Sequence, residues 1–177
     1  MSRTMTHTLL QSPNAVVMVR PHRFTPNQQT VHDNAFQSTG SSFKITPTTT
    51  LADKAYEEVT HVAQRLRDAG VEVHLFKDLG KLDTPDSVFP NHWFSTHSGG
   101  HVALYPMFAP NRRRERRYDI IDMPKANYRA QDVIDYSGLG ADGLFLEGAG
   151  AMVLDHVERV AYACLSPTPA CRSAPVR

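Results

Sequence analysis

Apolar and polar positions along this chain follow two rhythms, one near 3.6 residues and one of 2. Leu51, Ala55, Val59, Val62 and Leu66 recur at helical spacing, with Glu57, Glu58, Arg65 and Arg67 among the positions between them, which predicts a helix over 51–69. Thr50 and Asp53 supply its start signal and Gly70 its stop. Val71, Val73 and Leu75 then alternate with Glu72 and His74, so a half-buried strand is expected over 71–76. A helix feeding a strand through one glycine is an α/β unit. Upstream, the valine-rich run 15–20 reads as a buried strand that ends at Pro21 and leads into a loop.

Downstream the pattern is more broken. Residues 86–96 are aromatic and strand-like, but Pro90 argues for a break or an edge there. Ser98-Gly99-Gly100 signals a hairpin, with 101–105 as the returning partner. Asn111 is expected to cap a helix over 112–123, which Pro124 ends. A short strand is expected at 133–136. Leu144, Phe145 and Leu146 form an apolar run that stops on Glu147, before the small residues Gly148, Ala149 and Gly150. A second run, 151–154, a turn at 155–158 and a return strand at 159–165 complete a hairpin. Residues 37–50 read as a long Ser/Thr-rich connection. After Leu165 the Pro-rich segment 166–177 has no apolar period, and an apolar strand followed so soon by the end of the chain looks cut short.

Composition narrows the functional classes. The 177 residues suffice for one domain with a sizeable core, and 41% hydrophobic with 21% charged residues is a globular balance. A net charge of +1 gives no reason to expect nucleic acid or an anionic membrane as partner, and no apolar run is long enough to span a bilayer. Without a secretory leader pattern at 1–10, the default expectation is a cytoplasmic protein. The one charge run, Arg112 to Arg117 with Glu115 inside it, reads as a solvated helix face with one or two arginines turned inward to a carboxylate. His92, His97 and His101 lack a clear further ligand, so no metal is expected, and no cofactor either. Cys164, in an apolar strand, reads as a core thiol, and Cys171 has nothing to hold it; neither makes a convincing nucleophile. Glu147 stays open between two readings: a carboxylate facing solvent where two strands meet, or a site residue beside backbone thin enough for close approach.

Three stretches considered together, P-D-S-V-F-P-N-H-W-F-S-T-H at 85–97, Y-P-M-F-A-P-N-R-R-R-E-R-R at 105–117 and F-L-E-G-A-G-A-M-V-L-D at 145–155, resemble the amidinotransferase or arginine deiminase-like superfamily. Within it they are similar to citrulline-utilisation hydrolases, whose opening segment the stretches 18–27 and 33–37 also resemble. The resemblance covers 15–167 and leaves 168–177 as an unrelated-looking tail. It implies an α/β fold, an incomplete pentein, the α/β propeller built of ββαβ modules. It also implies hydrolysis of a C–N bond in a guanidino or ureido amino acid: a Cys thiolate attacks the carbon, a His protonates the departing amine, and a carboxylate orients that His. By motif, Glu147 matches the orienting carboxylate, Asp86 the acid that grips substrate nitrogens, and Arg113 an arginine that can hold a substrate carboxylate. Asn91 and His92 stand where guanidine-binding relatives carry acids, which motivates a neutral, citrulline-like substrate. The family's catalytic His and Cys lie beyond the E-G-x-G segment, and neither is expected in this chain. An inactive remnant or small-molecule-binding module is therefore the alternative to an enzyme.

Overall fold

The computed structural model describes residues 12–31 and 50–163. Strand β1 (Ala15–Pro21) and strand β2 (Glu72–Asp78) pair in parallel, from Ala15 opposite Glu72 to Pro21 opposite Asp78. Parallel neighbours need a crossover, and helix α1 (Leu51–Asp68) belongs to it. Thr50 and Asp53 form a full capping box: the Asp53 amide donates to Thr50 Oγ1 and the Thr50 amide to Asp53 Oδ2. At the other end Gly70 turns the chain out at φ +82°. The helix buries a slightly different stripe from the one its spacing suggests. Ala63 is its one fully buried residue, whereas Val62 is exposed, because small Ala63 lets the helix lie close over a sheet only two strands wide.

A second sheet runs in the order β3-β4-β5. Pro90 starts a single 3-10 turn, Pro90–His92, so the strand expected over 86–96 is confined to β3 (Phe94–His97). Gly99 and Gly100, both at positive φ, return the chain as β4 (His101–Leu104), antiparallel to β3, with His97 opposite His101. β5 (Asp132–Asp135) adds in parallel to β4. Between β4 and β5 lie two helices where one is expected, α2 (Pro110–Arg113) and α3 (Tyr118–Tyr128). Asn111 sits inside α2 and does not cap it, since its side chain bonds to Asn27. The break at 114–117 follows from three arginines that reach different elements: Arg114 donates to Leu82 and Asp83, Arg116 to Tyr105 and Ser137, and Arg117 to Lys77 and Asp119. Pro124 lies within α3 and does not end it; burial of its ring holds it there, and the helix stops at Arg129, in the left-handed region at φ 55°.

Strand, strand, helices, strand is one complete ββαβ unit. The core condenses on it: Trp93, Phe94, Val102, Leu104, Met107, Ile120 and Ile121 pack together with Val19 of the first sheet. Residues 144–147 form no strand, and α4 (Gly148–Ala151) replaces the expected direct strand junction. β6 (Met152–Asp155) and β7 (Val160–Ala163) then form the expected hairpin, although all four β7 residues are exposed. Cys164, Cys171, the stretch 33–37 and the tail lie outside the described residues. Among the described residues no helix is long and apolar enough to cross a membrane.

Candidate active site

Four side chains converge on one guanidinium, that of Arg112: Asp86, His92, Glu115 and Glu147. Pro110 starts α2 and turns Arg112 inward, where its side chain is almost fully buried. Nε and Nη2 donate to the two oxygens of Glu115 at 3.0 and 3.1 Å, a fork-on-carboxylate pair three residues apart. The same Nε lies 3.7 Å from Asp86 Oδ2, and Nη1 lies 3.5 Å from Glu147 Oε2. Nη1 also donates to His92 Nδ1 at 2.6 Å. Asn27, tied to Asn111 by paired carboxamides, donates to Asp86 Oδ2 at 2.7 Å. The Phe108 amide donates to Glu147 Oε1 at 2.9 Å.

The small residues after Glu147 have a visible purpose here. A side chain at Gly148 would strike the backbone carbonyls of Asn91 and His92, and one at Gly150 would strike the His92 ring. Thin backbone lets the Glu147 segment lie directly on the Pro90–His92 turn. Glu147 is therefore no solvent-facing carboxylate at a strand junction; only 16% of its side chain is exposed, as for Asp86.

Charge in this nest is unbalanced, with three carboxylates around one guanidinium. Burial, opposed by the Arg112 fork, pushes Glu115 up to about 7. Burial first, and the Arg112 charge second, pull His92 down to about 4. His92 is thus neutral near pH 7; because Nδ1 accepts from Arg112, its proton is on Nε2. His92 Nδ1 is 4.0 Å from Glu147, too far for the hydrogen bond by which a carboxylate would orient it.

Asp86, His92 and Glu147 are brought together. Asn91 is exposed and meets the nest through its backbone carbonyl against Gly148. Arg113 makes no ion pair among the described residues; Nε and Nη2 donate to the carbonyls of Met107 and Phe108, and the guanidinium stacks over Phe145. The expected inward turn of an arginine to a carboxylate is made by Arg112 on Glu115, but sequence reasoning did not single out Arg112, Glu115, Asn27 or Asn111 as site residues. The i,i+3 pairing of Arg112 with Glu115 inside the charge run was the available signal. A separate cleft of about 560 Å³ lies between β1, β3 and β4, but Val16, Phe94, Val102, Met123 and Leu154 give it an apolar lining without the carboxylates. Among the described residues no three His, Cys, Asp or Glu side chains are grouped to hold a metal ion.

The ββαβ unit and the small sheets are consistent with the amidinotransferase-like pentein superfamily, and a family match places the chain in it. The family model described as eukaryotic N,N dimethylarginine dimethylhydrolase matches residues 20–172, and the chain belongs to that family. Among solved structures, one described as the crystal structure of unliganded AgrE is similar, with a TM-score of 0.54 and 21% identity. That match covers 84% of this chain and 19% of the other, so the chain spans about a fifth of that structure's length, and at this identity the likeness concerns the fold alone. No curated protein matches the chain.

Proposed function

We propose that this chain carries the substrate-gripping half of a hydrolase site for the C–N bond of a guanidino amino acid of the methylated-arginine type. The observation that carries the reading is the nest itself: Asp86, Glu115 and Glu147 already enclose a guanidinium and retain excess negative charge. A cationic guanidino group benefits from that charge and a neutral ureido group does not. The charge balance therefore supports a guanidino substrate over a citrulline-like one. The family match supports the same choice.

In this reading Asp86 and Glu147 present their partly exposed edges to the ligand. Asp86 grips guanidino nitrogens and Glu147 is the carboxylate that would orient a catalytic imidazole. Asn91 and His92 border the ligand as neutral groups. Arg113, whose donors are engaged by carbonyls, is a weaker candidate for the substrate carboxylate. The three small sheets would be blades of an open pentein. In the same reading the chain binds without turnover; the covalent step would need a thiol, and the described residues contain no cysteine.

Titration calorimetry with arginine, dimethylated arginine and citrulline tests this directly. Guanidino ligands should bind more tightly than citrulline, and Asp86→Asn should weaken them by roughly tenfold, the effect of losing one charged hydrogen bond. Equal or tighter binding of citrulline would sink the substrate choice. Amine or ammonia release that disappears in Glu147→Ala would show that the chain is active after all.

A further inference from the structure

Asp86, His92 and Glu147 come from separate segments, yet each is connected to the others through a single side chain. Asp86 has its own anchor in Asn27, and Glu147 has one in the Phe108 amide. Each anchor holds one oxygen. For Glu147 the second oxygen, Oε2, faces Arg112 Nη1, and the same Nη1 holds the His92 ring. We propose that Arg112 is a positioning residue, and that Glu115 is its buried clamp, so that together they set Asp86, His92 and Glu147 in one array.

The geometry of guanidinium makes this work. Its plane is fixed once one edge is paired with a carboxylate, and the Glu115 side chain, with no exposed surface, fixes that edge at 3.0 and 3.1 Å. The free direction of Nη1 is then determined, and it points to His92 and Glu147. A lysine would supply charge without the fork and could not serve three partners at set angles. Spacing matters equally: the end of α2 and the turn after it, closed by the Glu115 amide on the Arg112 carbonyl, set Arg112 and Glu115 three residues apart, so the clamp belongs to the same short segment as the residue it holds. The inference rests on the functional reading only for what Asp86 and Glu147 then hold. The array itself is independent of any ligand.

The competing view is a buried ion pair with a purely structural role. A buried pair replaced by apolar residues of similar volume often leaves stability unchanged. The test therefore uses the full chain carrying Arg112→Met with Glu115→Leu, and follows hydrogen exchange at the Phe108 amide by NMR. With the unfolding midpoint near that of the parent, this amide should exchange about tenfold to a hundredfold faster, as expected when a hydrogen bond to a charged group is loosened. Unchanged protection in that folded variant would overturn the proposal. Arg112→Lys provides a second readout that keeps the charge: it too should speed exchange at Phe108, and parent-like protection would count against positioning. In Arg112→Ala, millimolar guanidinium, far below denaturing concentrations, should restore the amide's protection while ammonium does not. No recovery with guanidinium, or equal recovery with both cations, would also defeat it. None of these measurements involves an amino-acid ligand, so they stand or fall apart from the substrate assignment.

Discussion

The carboxylate nest and the β6–β7 hairpin are built by opposite means. The nest joins residues up to 84 positions apart, buries them, and pairs almost every polar atom. Among the described residues, only Arg20 Nε and Ser87 Oγ are buried side-chain polar atoms without a hydrogen bond. The hairpin joins residues close in sequence and leaves apolar surface open, with Val153 67% and Tyr162 60% exposed. One region is therefore sensitive to single atoms, and the other tolerates whole side chains. Sensitivity follows from desolvation: a buried charge without its partner costs several kcal/mol, whereas an exposed side chain on a hairpin has little to lose.

Substitutions can break this contrast in graded steps. Arg112→Ala should have the largest effect, about 3–5 kcal/mol, because it leaves three carboxylates facing one another without a cation. That is a large fraction of a typical domain's stability, and chemical denaturation would measure it. The second effect is acid sensitivity. His92 is held neutral, so its stabilising contribution is present above 6.5 and is lost as pH falls through 6.5 towards 4, where the folded form must take up a proton. The loss from this group should be about 3 kcal/mol over that window. Glu115 acts in the other direction, since raising its folded-state value to about 7 lowers stability as pH rises from 4.5 to 7. His92→Asn should remove the first contribution and leave stability falling with rising pH, which melting curves across the window would reveal.

Gly148→Ala tests the close approach between the Glu147 segment and the 3-10 turn. Its new Cβ meets fixed carbonyls at a positive φ, so about 1–3 kcal/mol is expected, with loss of the Phe108 to Glu147 hydrogen bond seen by NMR. The smallest change is expected at the hairpin. Tyr162→Ser should alter stability by less than about 0.5 kcal/mol while reducing self-association on a sizing column. A large destabilisation there would mean that the hairpin is no longer the tolerant half of the comparison.

What the sequence made legible follows the same division. Elements fixed by local chemistry were readable: the capping box at Thr50, the Gly99-Gly100 turn, the break at Pro90 and the β6–β7 hairpin. Elements decided by distant partners were not. Asn111 resembled a helix cap until Asn27 claimed its carboxamide, and Pro124 resembled a stop until the core enclosed it. Motif resemblance led to Asp86, His92 and Glu147, which do meet. It could not reveal that Arg112, rather than its neighbour Arg113, is the one that joins them. Adjacent helical residues face directions about 100° apart, and only the packing decides which arginine turns inward.

The link from Asn27 to Asn111 and Asp86 also bears on how the chain folds. The β3–β4 and β6–β7 hairpins close short loops and can form on microsecond timescales. The nest instead requires Asn27 to find partners 59 and 84 residues away, and Glu147 to arrive from further along still. Contacts of such separation order slowly, after the local ones are in place. During synthesis the carboxylates of Asp86 and Glu115 would leave the ribosome well before Glu147. Until then Arg112 has only part of its complement, and the nest is completed only once Glu147 is in place.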